Sequence, residues 1–405
     1  MKQLSLHPRR WGVLATLLLA LLAGFAVPAA AESARHAPKV VREGNGWMQE
    51  SDGALGNVKL VQVMRFIGSV RVLPGRGKGS YLLRLHSAES DEAAARRQFS
   101  TFHFIAGSDG NQDILHPLGD VDIKLRAELV LELPARAEVL HVETLAGKIT
   151  IQGRVHRLEL HTHGGDIEVD DADELQAITS GGSVQVNHRV GNAFIHTDGG
   201  DIRVEAAVGD LQIASMAGSI GLKAITRARI ESGGGNIEIM HCLGELAMRT
   251  AGGNINLGEM DGPVTIESGG GNIRVGVAHG MVAINSTMGD IELWKLAQGV
   301  RAHTGMGRIT AEFIAVHGAL LPSELLTAMG DIVIFFGADT SGYLRAITGV
   351  SPTHHVISDF PELHISNGLA QYGPHSILME GSIHGGGPGI EARTMVGQIE
   401  VHPAH

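Results

Sequence analysis

Glu231, Arg249 and Glu267 recur at equal intervals, each just before a Ser or Thr. A carboxylate, a guanidinium and a second carboxylate at a fixed spacing are residue types that can cleave glycosidic bonds, given a groove and one carboxyl poised as an acid. Opposite charges in one column also relieve repulsion between stacked strands, and we read the trio as an outward interaction column. A second chemistry is suggested by the residue that follows a recurrent Gly, which is Asp at 166, 201, 290 and 331 and Asn at 236, 254 and 272. Calcium takes about six to eight oxygens, with several carboxylates converging. Here Asp166 and Asp201 are separated by Ser183, and three successive repeats offer only Asn. A turn residue forming a ladder through Asn236, Asn254 and Asn272 is therefore expected instead.

Zinc has the raw material but no motif. The chain holds 22 His and a single Cys, Cys242. His161 and His163 share a strand face, and His354 and His355 are adjacent. His161 and His196 fall in one column with Ile178 between them, which sets them about 10 Å apart. No H-x-x-x-H helix and no Cys partner exist, so solvated surface histidines are expected. Cys242 reads as core filler rather than a nucleophile, and alone it forms no internal disulfide. The expectation is a chain with no catalytic, cofactor or metal residues.

These residues are positioned by a repeat. From GKITI to GDIVI the phrase apolar-x-apolar-x-Ser/Thr-x-x-Gly-x-Ile-x-Val recurs at a nearly constant interval, with one longer step to Ile332. A short fixed period with alternation inside it predicts an all-β fold, a parallel β-helix or β-solenoid with coils of about 18 residues. Each coil should contribute two strands with one face inward. The corner falls at Gly165, Gly200, Gly235, Gly253, Gly271 and Gly289, where Gly reaches φ > 0 without a Cβ clash. Three residues earlier stands a hydroxyl, as at Thr162, Thr197 and Thr250, suited to bond turn backbone and, along the axis, the next hydroxyl.

The ends differ from the middle. Residues 1–31 read as a signal peptide, with Lys2, Arg9 and Arg10 before an apolar run and Ala29, Ala30 and Ala31 at the cleavage site. No second long apolar stretch follows, so no transmembrane span is expected after removal of the signal. Residues 32–135 predict a strand-rich cap with a polar, mobile start to about residue 50 and one helix near 90–99, capped by Ser90. Repeats fill 136–334, and 335–405 predict an irregular C-terminal cap closing with a final repeat. Such caps are needed because an open end of stacked strands would pair with other molecules. Losing Lys2, Arg9 and Arg10 with the signal moves the net charge from −11 to −14, which argues against nucleic acid. Aromatics are only 4% of the chain, which disfavours a sugar-stacking platform.

The GG-[DN]-I-x-V repeats, the Ser/Thr column, the strand-rich start with its helix and the late segment GGGPGIEARTMVGQIEV resemble the bacterial putative-adhesin family of β-strand-repeat proteins. The likeness spans residues 55–401. It implies a secreted or cell-envelope protein with an adhesion role, and it brings no catalytic residues. The expected function is a non-enzymatic adhesin or interaction scaffold, periplasmic, on the cell surface or extracellular, meeting an unknown protein or glycan. The alternatives are a β-helix lyase or glycosidase, and a periplasmic structural or signalling component.

Overall fold

The computed structural model describes residues 38–118, 124–314, 321–349, 355–368 and 375–404. The expected signal peptide and His354 lie outside these residues. The chain is mostly β, built on parallel strand pairs at the repeat length. Branched apolar residues two positions after the corner Gly pair level by level. Ile149 faces Ile167, then Val184, Ile202, Ile220, Ile237, Ile255, Ile273, Ile291, Ile309, Ile332 and Ile399. The longer step before Ile332 falls between strands Ile309–Phe313 and Ser323–Met329, so it leaves the register intact.

A second parallel ladder runs through the residues before the Gly, as in Leu158–Leu175–Ala193–Leu211–Ala228–Leu246–Val264–Val282–Val300. Inward side chains of both ladders join one apolar core that continues from Leu55 to Val401. Alternation along each strand makes this possible, because every second residue points the same way. Ile255 is 1% exposed, and removing such a side chain from water contributes about 1.5–3 kcal/mol. Towards the far end, Phe313 stacks on Phe336 at 5.8 Å, and Phe360 meets Phe336 edge-on at 6.0 Å.

Strands Ile149–Thr162 to Ile220–Ser232 run through both ladders with a bulge between them, rather than as two short strands. From Ile237 onward each level splits in two. Pro263, which has no N–H to donate, stands at one such break, between Ile255–Met260 and Val264–Ser268.

Spatial order departs from chain order at both ends. Strand Leu60–Ile67 lies between Gln112–Leu118 and Val139–Ala146, and Ser69–Leu73 lies between Arg126–Glu132 and Ile149–Thr162. At the other end, Gly389–Val396 is inserted between Ser323–Met329 and Gly342–Thr348. Ile399–Pro403 is inserted between Ile332–Phe336 and Val356–Ser358. Beyond these levels the pairing becomes antiparallel, as in Gly46–Ala54 with Ser80–Ser87 and Gly342–Thr348 with Ile377–Ile383.

Two local expectations change. The polar start holds strands Lys39–Glu43 and Gly46–Ala54, paired antiparallel, because the second is also zipped along its length to Ser80–Ser87. The helix is Glu92–Phe99, capped by Asp91 rather than Ser90, with the Asp91 carboxylate accepting the Ala94 N–H at 2.9 Å. Its Ala95 and Phe99 are buried, while Glu92 and Arg96 form an exposed ion pair one turn apart.

Candidate interaction face and polar columns

Outward positions of the second ladder place Glu231, Arg249 and Glu267 in direct register on three levels. The Arg249 guanidinium grips Glu267 through Nε at 2.8 Å and Nη2 at 2.6 Å. Both side chains are largely exposed, at 74% and 51%, on a column that continues to Asn285 and His303. Neither carboxyl of this trio is buried, so the column displays its charges to solvent.

The residue after the corner Gly builds a ladder of its own. The backbone N–H of Asn254 donates to Oδ1 of Asn236, that of Asn272 to Asn254, and that of Asp290 to Asn272. Asp166, Asp201, Asp290 and Asp331 accept in the same way from Ser183, Ser219, Arg308 and Gln398. These carboxylates therefore serve as backbone acceptors one level apart, and Asn does the same work without charge.

The hydroxyl column is buried except at Ser286, and its bonds run to backbone of the turns rather than from hydroxyl to hydroxyl. Thr162 accepts the Gly165 N–H, and Thr197 donates to Gly182 O while accepting the Gly200 N–H. Thr250 closes its own turn by donating to Gly252 O. At the corner, Gly235, Gly253, Gly271 and Gly289 have φ between +89° and +119°. Gly165 and Gly200 are needed for a different reason. A Cβ there would meet the carbonyl oxygen of Gly147 or Gly182 at about 2 Å.

Histidines pair mostly with carboxylates. His141 and His161 lie side by side with ring centroids 5.8 Å apart, and Glu159 bonds His141. Burial, reinforced by the neighbouring His141, holds the His161 imidazole below its usual range. His196 sits two levels from His161, with Ile178 between them. Cys242 is buried in an inward column with Met260 and Ala278, and burial pushes its thiol up, away from the reactive thiolate.

Sequence reasoning missed one convergence. His241 and Glu259 are in register, and Asp261 and His279 stand slightly further along their levels. His279 Nε2 lies 3.5 Å from Glu259 Oε1 and 3.9 Å from Asp261 Oδ1, while His241 Nε2 lies 3.1 Å from Asp261 Oδ2. The signal was present as His-x17-Glu-x-Asp-x17-His, which becomes legible only once each repeat is taken as one level.

The Toastrack DUF4097 family model matches residues 108–313. That is half of the chain. The chain belongs to this family. The match begins near strand Gln112–Leu118 and ends at Phe313, and it includes both polar constellations described above. No curated protein matches the chain. Among solved structures, a putative adhesin from Parabacteroides distasonis is 9% identical, with a TM-score of 0.31, covering 67% of this chain and 98% of its own. A putative lipid binding protein from the same organism is 11% identical at a TM-score of 0.25, covering 71% and 96%. A putative cell adhesion protein from Clostridium sporogenes is 8% identical at 0.16, covering 88% and 100%. Among the described residues no helix is long and apolar enough to cross a membrane.

Proposed function

We propose that this chain is a non-enzymatic scaffold of the bacterial cell envelope, a parallel β-solenoid exported by the signal at 1–31. In this reading the coils of 136–334 form the body, and 32–135 and 335–405 close its ends. The body offers a rigid polar face to a protein or glycan partner. The observation that carries the reading is the level-by-level pairing of the column from Ile149 to Ile399, which on either side of the bulges lines outward side chains into columns. Such a surface suits recognition of an extended partner, since its side chains are spaced by strand separation, about 4.8 Å. Pairing of Arg249 with Glu267 in the best acid–base candidate favours recognition over catalysis.

Protease shaving of intact cells, with a periplasmic marker as control, tests the location. Loss of the protein from intact cells supports direct adhesion. Protection until the outer layer is opened turns the reading towards an internal scaffold. Polysaccharide cleavage by the purified chain, abolished by alanine at Glu231, Arg249 and Glu267, overturns the non-enzymatic reading.

A further inference from the structure

We propose that Glu259, Asp261 and His279 form a surface site for a divalent transition metal of the zinc class, with His241 as the positioning residue. The three ligand atoms lie within 4.8 Å of one another. Zinc bonds of about 2.0–2.2 Å in tetrahedral geometry set ligand atoms about 3.3 Å apart. The His279 distances of 3.5 Å to Glu259 and 3.9 Å to Asp261 need only a sub-ångström adjustment of exposed side chains to meet that edge.

The backbone beneath is already fixed. The Asp261 N–H donates to Cys242 O at 2.9 Å and the His279 N–H to Met260 O at 2.8 Å. Between the two outward positions, the fully buried Cys242, Met260 and Ala278 anchor each level in the core. The ligands therefore project from strand ends whose spacing is set by the ladder, which lowers the ordering cost of binding.

Donor chemistry selects the ion. An imidazole with two carboxylates suits zinc and its neighbours, whereas calcium and magnesium prefer all-oxygen shells with more ligands. Asp261 uses Oδ1 towards His279 and Oδ2 towards His241, so the His241 imidazole orients the carboxylate as second-layer partners do. Three protein ligands leave one coordination position open to water or to a donor from another molecule.

Charge pairing at this corner rests on imidazoles. Some nearby outward carboxylates meet permanent cations, as in Lys223 with Glu205, Arg227 with Asp210 and Arg249 with Glu267. Among the described residues, Glu259 and Asp261 instead have only imidazoles as ion-pair partners. Two adjacent carboxylates faced by metal-ligating groups, with no Lys or Arg supplied, are matched by a divalent cation.

The test is calorimetric titration of the chelator-treated full chain with zinc chloride alone. One ion per chain should bind with micromolar affinity, undisturbed by millimolar calcium or magnesium. His279→Ala and the near-isosteric Glu259→Gln should each weaken binding at least about ten-fold, and His241→Ala about ten-fold. A His161→Ala/His163→Ala control should bind as the parent does. Metal-free melting curves that superimpose across the variants show that the fold is kept. Absence of binding, displacement by calcium, or parent-like affinity in Glu259→Gln overturns the site.

Discussion

The backbone N–H of Asn254 donates to the side-chain carbonyl of Asn236, one level before it, at 3.0 Å, and Asn254 in turn accepts from Asn272 at 2.9 Å. Each side chain thus satisfies a backbone donor that the corner would otherwise leave to solvent. Asn254→Ala should cost about 1 kcal/mol in urea unfolding, the ordinary worth of such a bond. Asn254→Asp should be nearly neutral, because Asp290 fills the same role towards Arg308. An alanine variant as stable as the parent would remove the ladder from the account of stability.

The two glycines of one doublet should behave in opposite ways. A Cβ on Gly252 meets nothing within 4 Å, whereas one on Gly253 would sit 2.1 Å from Gly235 O at a φ of +94°. Gly252→Ala should change stability by no more than about 0.5 kcal/mol. Gly253→Ala combines left-handed strain with a backbone clash and should cost more than about 2 kcal/mol. Thermal melts of the two variants side by side decide the matter, and equal melting temperatures would contradict the corner geometry.

Ile255 is flanked in its column by Ile237 and Ile273, with all three side chains buried. Ile255→Asp places an unpaired carboxylate in that core and should abolish cooperative unfolding. A cooperative transition at the parent temperature would show that this position does not face inward.

His402 bonds Asp359 through Nδ1 at 2.7 Å and Glu400 through Nε2 at 3.3 Å. The Asp359 carboxylate in particular raises its imidazole above the usual range, against a smaller opposing effect of burial. A raised pKa means that the folded state holds the proton more tightly. The stabilisation is complete below the unfolded value, about 6.5, and is lost as pH rises through the folded one. His402→Gln should therefore lower the melting temperature more at about pH 5 than at about pH 9. An equal effect at both would exclude the charged pair.

Opposite charges on an exposed column contribute little to folding. Alanine at Glu231, Arg249 and Glu267 together should shift stability by no more than about 1 kcal/mol, so any loss of partner binding can be assigned to the surface. A large drop in melting temperature would instead make the column part of the structural frame.

The body of the fold was legible because Ile237, Ile255 and Ile273 repeat at the interval that also sets their pairing. The second Gly of each doublet could be picked out as the corner, but the clash that bars a Cβ there could not, since it depends on the carbonyl of the level before. Nor could the period direct the Thr197 hydroxyl to Gly182 O instead of to another hydroxyl. The ends were harder to read. Strand Leu60–Ile67 carries alternation but no Gly-Ile-Val signature, and its neighbours are set by tertiary pairing with Gln112–Leu118 and Val139–Ala146. The metal-ligating group was hidden for another reason, since its two carboxylates and its histidines come from three successive levels and only Glu259 and Asp261 are close in sequence.

The inserted strands at both ends govern the order of assembly. Gly389–Val396 has neighbours on both sides, one of them Gly342–Thr348, which precedes it in the chain. Accretion from first residue to last would leave a gap between Ser323–Met329 and Gly342–Thr348 until Gly389–Val396 arrives. The same holds for Leu60–Ile67, which waits for partners made later. Pairing at each end is therefore complete only once a later segment of the chain has arrived, so a chain cut short of Gly389 would leave the edge of Ser323–Met329 open.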